Sequence, residues 1–223
     1  MGVGGEREAA AEADKRAAAE AAAAEVVDGM LVGLGTGTTV AYLLPALARR
    51  ELDLRCVATS RATEEKARAL GLDVVPFEGL DHLDIAIDGA DQVSATGWLI
   101  KGGGGAHTRE KVAAAAADRF IVIVSADKLV DRLTPPVPLE LLEFGIDATL
   151  RLIGTLGPAA RRDARRSPDG GVIVDYTGSF DDPAALSESL DRIAGVVDHG
   201  LFPPSLVSDV FVGRHGRPER LPG

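Results

Sequence analysis

Cysteine is almost missing from this chain. Among 223 residues there is one, Cys56, so no internal disulfide can form and no oxidising compartment is implied. Its neighbours in RCVAT are mostly apolar, and nothing nearby would lower its pKa, so it reads as a buried, inert thiol. Aromatic residues are only 4% of the chain, which leaves Val, Leu, Ile and Ala to build the core. No apolar run is long enough to span a membrane, and the N-terminus lacks the apolar centre of a signal peptide. A cytoplasmic protein is the expectation. Positive charge is in deficit, with 24 Lys and Arg against 34 Asp and Glu, a net charge of -10. That argues against nucleic acid or an anionic membrane as the main partner. The four histidines, His82, His107, His199 and His215, are scattered and follow no zinc-site spacing, so no metal site is expected.

What is present is a regular alternation. The opening MGVGGERE reads as irregular, and the alanine-rich stretch from Ala9 to Val27 as a helix. Short apolar runs then alternate with helical patterns from residue 30 to residue 125. MLVGLG, LRCVATS, DVVPF, LDIAID, WLIKG and FIVIVSAD read as strands; TTVAYLLPALARR, RATEEKARAL and TREKVAAAAAD read as helices. This predicts an α/β fold, a Rossmann-like, mostly parallel sheet with helices on both faces. LTPPVPLE, residues 133–140, reads as a linker or domain edge. Beyond it come a helix near Ile146, a basic loop ARRDARRSPDGG, a strand VIVDY, a helix from Pro183 and a strand from Gly195. SDVFVG is placed to return to the first sheet. The expected division is a catalytic domain over 1–133 and 205–223, with a small α+β domain over 134–204.

In an open parallel sheet, ligands bind where the strands end, and three loops there are unusual. GLGTGTT, Gly33 to Thr39, follows a strand and opens a helix. Its amides and the Thr36, Thr38 and Thr39 hydroxyls suit a phosphate. A dinucleotide fingerprint fits poorly, because Thr38 replaces the third glycine and Thr59-Ser60 stand where an acid is wanted. IDGAD places two carboxylates, Asp88 and Asp91, at the end of a buried strand. They are suited either to moving protons or to capping backbone amides. IKGGGGAHTREK sets Lys101, four bare glycines and Glu110 in sequence, an amide-rich loop between a cation and a potential general base. Only five residues are lysine, so nineteen of the 24 basic residues are arginine. The lysines that follow strands, Lys101 and Lys128, therefore draw attention, since an ammonium and a guanidinium are not interchangeable in a tight site. Both are expected at the same end of one sheet. Lys66 and Lys111 read as ordinary surface positions on helices.

These loops, in this order, resemble the ribose-5-phosphate isomerase family of the A type. The segments that carry the resemblance are GLGTGTTVAYLLPAL, DIAIDGADQV, LIKGGGGAHTREKV and FIVIVSADKLVDRL, spanning about residues 30–133, with AGVVDHGLF further on. The pattern departs at RSPDGGVIVDY, at PLELLEFG and at Gln92, where an acid is common. The resemblance implies that Thr36, Gly37, Thr38 and Thr39 contact the substrate near its phosphate. It implies that Asp88, Gly89, Ala90, Asp91, Lys101, Gly102, Gly103 and Gly104 line the sugar. Glu110 would accept the proton, Lys128 would bind substrate, and Lys15 would reach the phosphate. No metal or organic cofactor is implied. The partner is a small sugar phosphate, and a homodimer or homotetramer is expected. The alternatives are an isomerase of another small sugar phosphate, or a non-catalytic sugar-phosphate sensor.

Overall fold

The computed structural model describes residues 3–222. Its strands, in chain order, are β1 (Leu31–Leu34), β2 (Arg55–Ala58), β3 (Asp73–Val74), β4 (Leu83–Asp88), β5 (Gln92–Ser94), β6 (Leu99–Ile100), β7 (Ala117–Ser125), β8 (Leu129–Val130), β9 (Val137–Leu141), β10 (Ala159–Arg166), β11 (Val172–Tyr176), β12 (Val196–His199), β13 (Leu201–Phe202), β14 (Asp209–Arg214) and β15 (Arg217–Pro222). The helices are α1 (Val3–Ala24), α2 (Val40–Ala48), α3 (Arg61–Ala69), α4 (His107–Ala115), α5 (Ile146–Ile153) and α6 (Pro183–Asp191). The chain forms two compact units: residues 1–90, 112–129 and 205–223 in one, residues 91–111 and 130–204 in the other.

The first unit is built on a seven-stranded sheet in the order β15-β14-β7-β4-β1-β2-β3. All neighbours pair in parallel except β14 and β15. The central strands β4 and β7 carry near-continuous apolar runs, as strands buried on both faces must. Their core also takes Ala18, Ala22 and Val26 near the C-terminal end of α1, and Leu43, Leu44 and Leu47 from α2. Gly213 of β14 lets α1 lie close: a side chain there would fall 1.8 Å from the Asp14 carbonyl oxygen. The helix begins at Val3, so residues 3–8 of the stretch expected to be irregular are helical, and residues 1–2 lie outside the described residues. SDVFVG does return beside β7 as β14, and β15 adds a hairpin partner that its charged sequence RPERLP does not announce.

The second unit holds a four-stranded sheet, β10-β11-β9-β12, and the order β13-β6-β5-β8 describes a further small sheet. Two expectations are corrected here. The proline-rich stretch contains β9, an inner strand buried throughout; Pro138 has no N–H to give the ladder, but its carbonyl accepts from the Gly200 amide at 2.7 Å. The basic stretch is not a loop but the edge strand β10, whose described arginines find acids: Arg161 pairs with Asp147, Arg162 with Asp175 and Arg166 with Glu143. WLIKG also departs from expectation. Its strand, β6, pairs antiparallel with β5 and β13 and takes no part in the parallel sheet.

Candidate active site

The glycine-threonine loop of the first unit is shaped around a carboxylate. Asp88, at the end of β4, is buried. Its Oδ1 accepts from the amides of Thr36 at 3.0 Å and Gly89 at 2.7 Å. A Cβ on Gly35 would lie 1.9 Å from the Asp88 Cγ, so this glycine makes room for the acid rather than for a ligand. The Thr36 hydroxyl also turns inward, 2.9 Å from that of Thr59, while Thr63 donates to the Gly35 carbonyl at 2.9 Å. Gly37 and Thr38 are exposed, and Thr39 stands before α2 with no side-chain cap. Lys15, Thr36, Gly37, Thr38, Thr63 and Lys66 line one cavity of about 530 Å³. Lys66, read from sequence as an ordinary surface lysine, thus belongs with the phosphate candidates. Lys128 ends a short turn after β7, half-exposed, with its ammonium 3.6 Å from Asp127. Gly89 lies beside the Ile123 carbonyl, and Ala90 is the last residue before the chain passes into the second unit. Cys56 is buried, and burial together with Asp73 pushes its thiol up to about 12, the inert behaviour expected.

The second unit carries the lysine, the glycines and the glutamate. Lys101 follows β6, and its amide donates to the Gly200 carbonyl at 2.9 Å. The expectation that Lys101 and Lys128 lie at the same end of one sheet is therefore corrected, since Lys101 follows β6, which is not a strand of the seven-stranded sheet that holds β7. Its ammonium lies 3.1 Å from Glu110, with 2% and 3% of the two side chains exposed. A buried ion pair of this kind is held by close geometry, because both charges have left water. The loop between them is tightly specified. Gly102 and Gly105 have φ of 105° and 79°, which glycine alone adopts without strain. The Gly103 amide donates to Asp91 at 2.8 Å, and the Gly102 and Gly103 carbonyls accept from Arg162 at 2.9 and 3.1 Å. Gly104, at the tip, is exposed.

The first turn of α4 is tied at successive residues. The Thr108 hydroxyl donates to Glu140 at 2.5 Å, Arg109 makes a two-pronged pair with Asp169, and Lys111 donates to Asp198 at 2.5 Å and to the His199 carbonyl at 2.6 Å. Lys111 is therefore not an ordinary surface lysine. Burial outweighs pairing for both partners, pushing Lys111 down and Asp198 up from their usual values. His107 and His199 are buried beside Lys111, and burial first, then that ammonium, lowers each ring to about 3. Neither His107 nitrogen reaches hydrogen-bond geometry, although the Asp198 backbone lies near enough to oppose the shift slightly. The scarcity of lysine was the sequence signal for Lys66 and Lys111 too. Among the described residues no group of three or more His, Cys, Asp or Glu is placed to hold a metal ion.

The family model for ribose 5-phosphate isomerase A (phosphoriboisomerase A) matches residues 55–217. The chain belongs to this family. The ribose-5-phosphate isomerase A of Natronomonas pharaonis is 42% identical over 213 residues, covering 91% of this chain and 93% of its own. That of Roseiflexus sp. is 43% identical over 202 residues, covering 84% and 87%. Among solved structures, the ribose 5-phosphate isomerase A of Methanocaldococcus jannaschii superposes with a TM-score of 0.88 at 33% identity, covering 94% of this chain and 98% of the other. A D-ribose-5-phosphate isomerase in complex with phospho-erythronic acid gives 0.88 at 32%, covering 94% and 97%. Membership of the ribose 5-phosphate isomerase A family makes this chain an isomerase of the α/β class. The family match spans the whole IKGGGGAHTREK segment, and with it the buried Lys101–Glu110 pair.

Proposed function

We propose that this chain interconverts D-ribose 5-phosphate and D-ribulose 5-phosphate through an enediolate, a step of the non-oxidative pentose phosphate pathway. The observation that carries the reading is the Lys101–Glu110 pair, a carboxylate and an ammonium 3.1 Å apart and shielded from water. Moving a proton between adjacent carbons needs one base and one cation. Glu110 removes the hydrogen from carbon 2 and returns it to carbon 1. Lys101, with the amides of Gly102 and Gly104, stabilises the charge that develops on oxygen. Asp88 and Asp91 move protons between the sugar oxygens and assist ring opening. Thr36, Gly37, Thr38 and Thr39, with Lys15, receive the phosphate. Lys128, Gly89, Ala90 and Gly103 complete the contacts.

Lys66 joins the phosphate group in this reading, because it shares the cavity with Lys15 and Thr38. In this reading residues 1–133 with 205–223 serve as the catalytic domain and 134–204 as a small α+β domain, a division by role that differs from the two compact units, in which residues 91–111 group with 130–204. The enzyme works without a metal or organic cofactor, in the cytoplasm, as a homodimer or homotetramer, with neither nucleic acid nor membrane as partner. Among the described residues no helix is long and apolar enough to cross a membrane.

The test is direct. Metal-free protein mixed with ribose 5-phosphate forms ketose, and Glu110→Gln loses ~10²–10⁴-fold in turnover while still binding the sugar phosphate. Near-normal turnover by that variant would remove Glu110 from its role. Saturable binding of the sugar phosphate without ketose formation would favour a different substrate or a sensor.

A further inference from the structure

The segment Asp198–Phe202, DHGLF, touches both lysines that flank the proposed base. Asp198 and the His199 carbonyl hold Lys111, and the Gly200 carbonyl holds the Lys101 amide. The Phe202 ring, fully buried, has the Lys101 ammonium 5.4 Å from its centroid and the Lys111 ammonium 5.1 Å from it. Register explains the approach. β13 runs antiparallel to β6 with Phe202 opposite Leu99 and Leu201 opposite Ile100. Lys101 lies two residues beyond Leu99 and so leaves the strand on the same face, which makes Phe202 its diagonal neighbour. Gly200 permits the strands to meet, since a Cβ there would lie 2.1 Å from the Lys101 carbonyl oxygen.

We propose that Phe202 is a positioning residue for proton abstraction: its ring face keeps the Lys101 ammonium charged, so the buried pair stays ionic and Glu110 remains a carboxylate able to take a proton. This rests on the reading of Glu110 as the base. The buried pair has two forms. In one, ammonium faces carboxylate. In the other, a proton has moved from Lys101 Nζ to Glu110 Oε2, breaking an N–H bond, forming an O–H bond and leaving an amine and a carboxylic acid. The second form cannot start the reaction.

Burial favours the neutral form, because it removes two charges from a low-dielectric interior. Lys111 opposes charging of Lys101 as well, although Asp198 offsets its charge at 2.5 Å. His107, close enough to sense Lys101, stays neutral and adds no charge. An aromatic face attracts an ammonium and has no comparable attraction for a neutral amine. The ring therefore shifts the balance toward the ionic form, by about two- to thirty-fold for cation–π contacts of ordinary strength. It keeps doing so after Glu110 has taken its proton, when Lys101 no longer faces a carboxylate there.

Phenylalanines with one, two and three ring fluorines at position 202 test this, since they hold the shape nearly constant while weakening the ring face step by step. Two readouts apply: the carboxylic-acid C=O stretch of Glu110 in infrared difference spectra, assigned by its loss in Glu110→Gln, and kcat and KM for ribose 5-phosphate. The acid band is expected to grow with each fluorine and kcat to fall by about two- to thirty-fold across the series, with KM and Tm little changed. An unchanged band and a flat kcat overturn the proposal, as does a fall in kcat that follows Tm. Loss of activity in Phe202→Leu without any gradation among the fluorinated forms also overturns it, because the ring then acts by packing. Failure of the base reading is separate: Glu110→Gln would keep its turnover whatever the fluorines do.

Discussion

At the scale of single residues, the site depends on groups that have left water together. Lys101→Met leaves the Glu110 carboxylate buried without its cation, a change that costs about 3–5 kcal/mol in comparable pairs. We expect this variant to unfold at lower urea than the parent and to show no turnover. The double variant Lys101→Met/Glu110→Gln should recover much of the stability and none of the activity; a double variant no more stable than Lys101→Met would show that the uncompensated carboxylate is not the source of the loss. The buried histidines give a pH signature. His107 and His199 stay neutral down to about 3, against 6.5 for the free ring. Between those values the unfolded chain binds protons that the folded chain refuses, so stability falls as pH falls through that window. The slope is at most about 1.4 kcal/mol per pH unit for each ring. Urea midpoints measured from pH 7 to pH 4 should drop steadily, and His199→Gln, whose amide can keep the Ser187 hydrogen bond, should flatten the curve.

At the scale of elements, the glycines act as spacers. Gly35→Ala would force its Cβ against Asp88, whose carboxylate cannot retreat without losing the Thr36 and Gly89 amides. The expected outcome is a stability loss of about 1–3 kcal/mol, as for other overpacked sites, with a larger loss of turnover; calorimetry and a ketose assay check both. Much of this level was legible in the sequence. The strands of the parallel sheet announce themselves because burial on both faces demands unbroken apolar runs, as in LDIAID and FIVIVS. The tight succession of Lys101, four glycines and Glu110 was legible for the same kind of reason, since the chemistry is written in consecutive residues. WLIKG was not, because a two-residue strand carries no sign of which sheet it joins. β10 was hidden by its arginines, and β15 by its charge and its prolines. Lys111 was misread because helical spacing shows only its own helix, whereas its partners Asp198 and His199 lie 87 and 88 residues away.

At the scale of the whole molecule, the first unit takes strands from far-apart parts of the sequence. β14 pairs with β7 and carries β15 outside it. Arg119 on β7 bridges Glu25 and Asp209, and Arg220 on β15 reaches Asp209 as well. Removal of residues 205–223 would strip two strands and break this network, leaving the apolar edge of β7 bare. We expect that shortened chain to be insoluble or unfolded by circular dichroism, and a folded, monodisperse product would show that the sheet tolerates an open edge.

The close approach of α1 to β14 has a consequence for how the protein is made. Asp14 meets Gly213 and accepts from the Gly216 amide at 2.7 Å, so residues some two hundred positions apart are in contact. On a ribosome, the alanine-rich helix emerges long before the hairpin that covers it. Its alanines can pack on α2 and later on the central strands, but the turn around Asp14 that meets β14 must wait through the synthesis of nearly the whole chain. That wait falls on a segment whose exposed residues are alanines and charged side chains, alanine being the least adhesive of the apolar side chains, which suits a surface left uncovered until the last strands arrive.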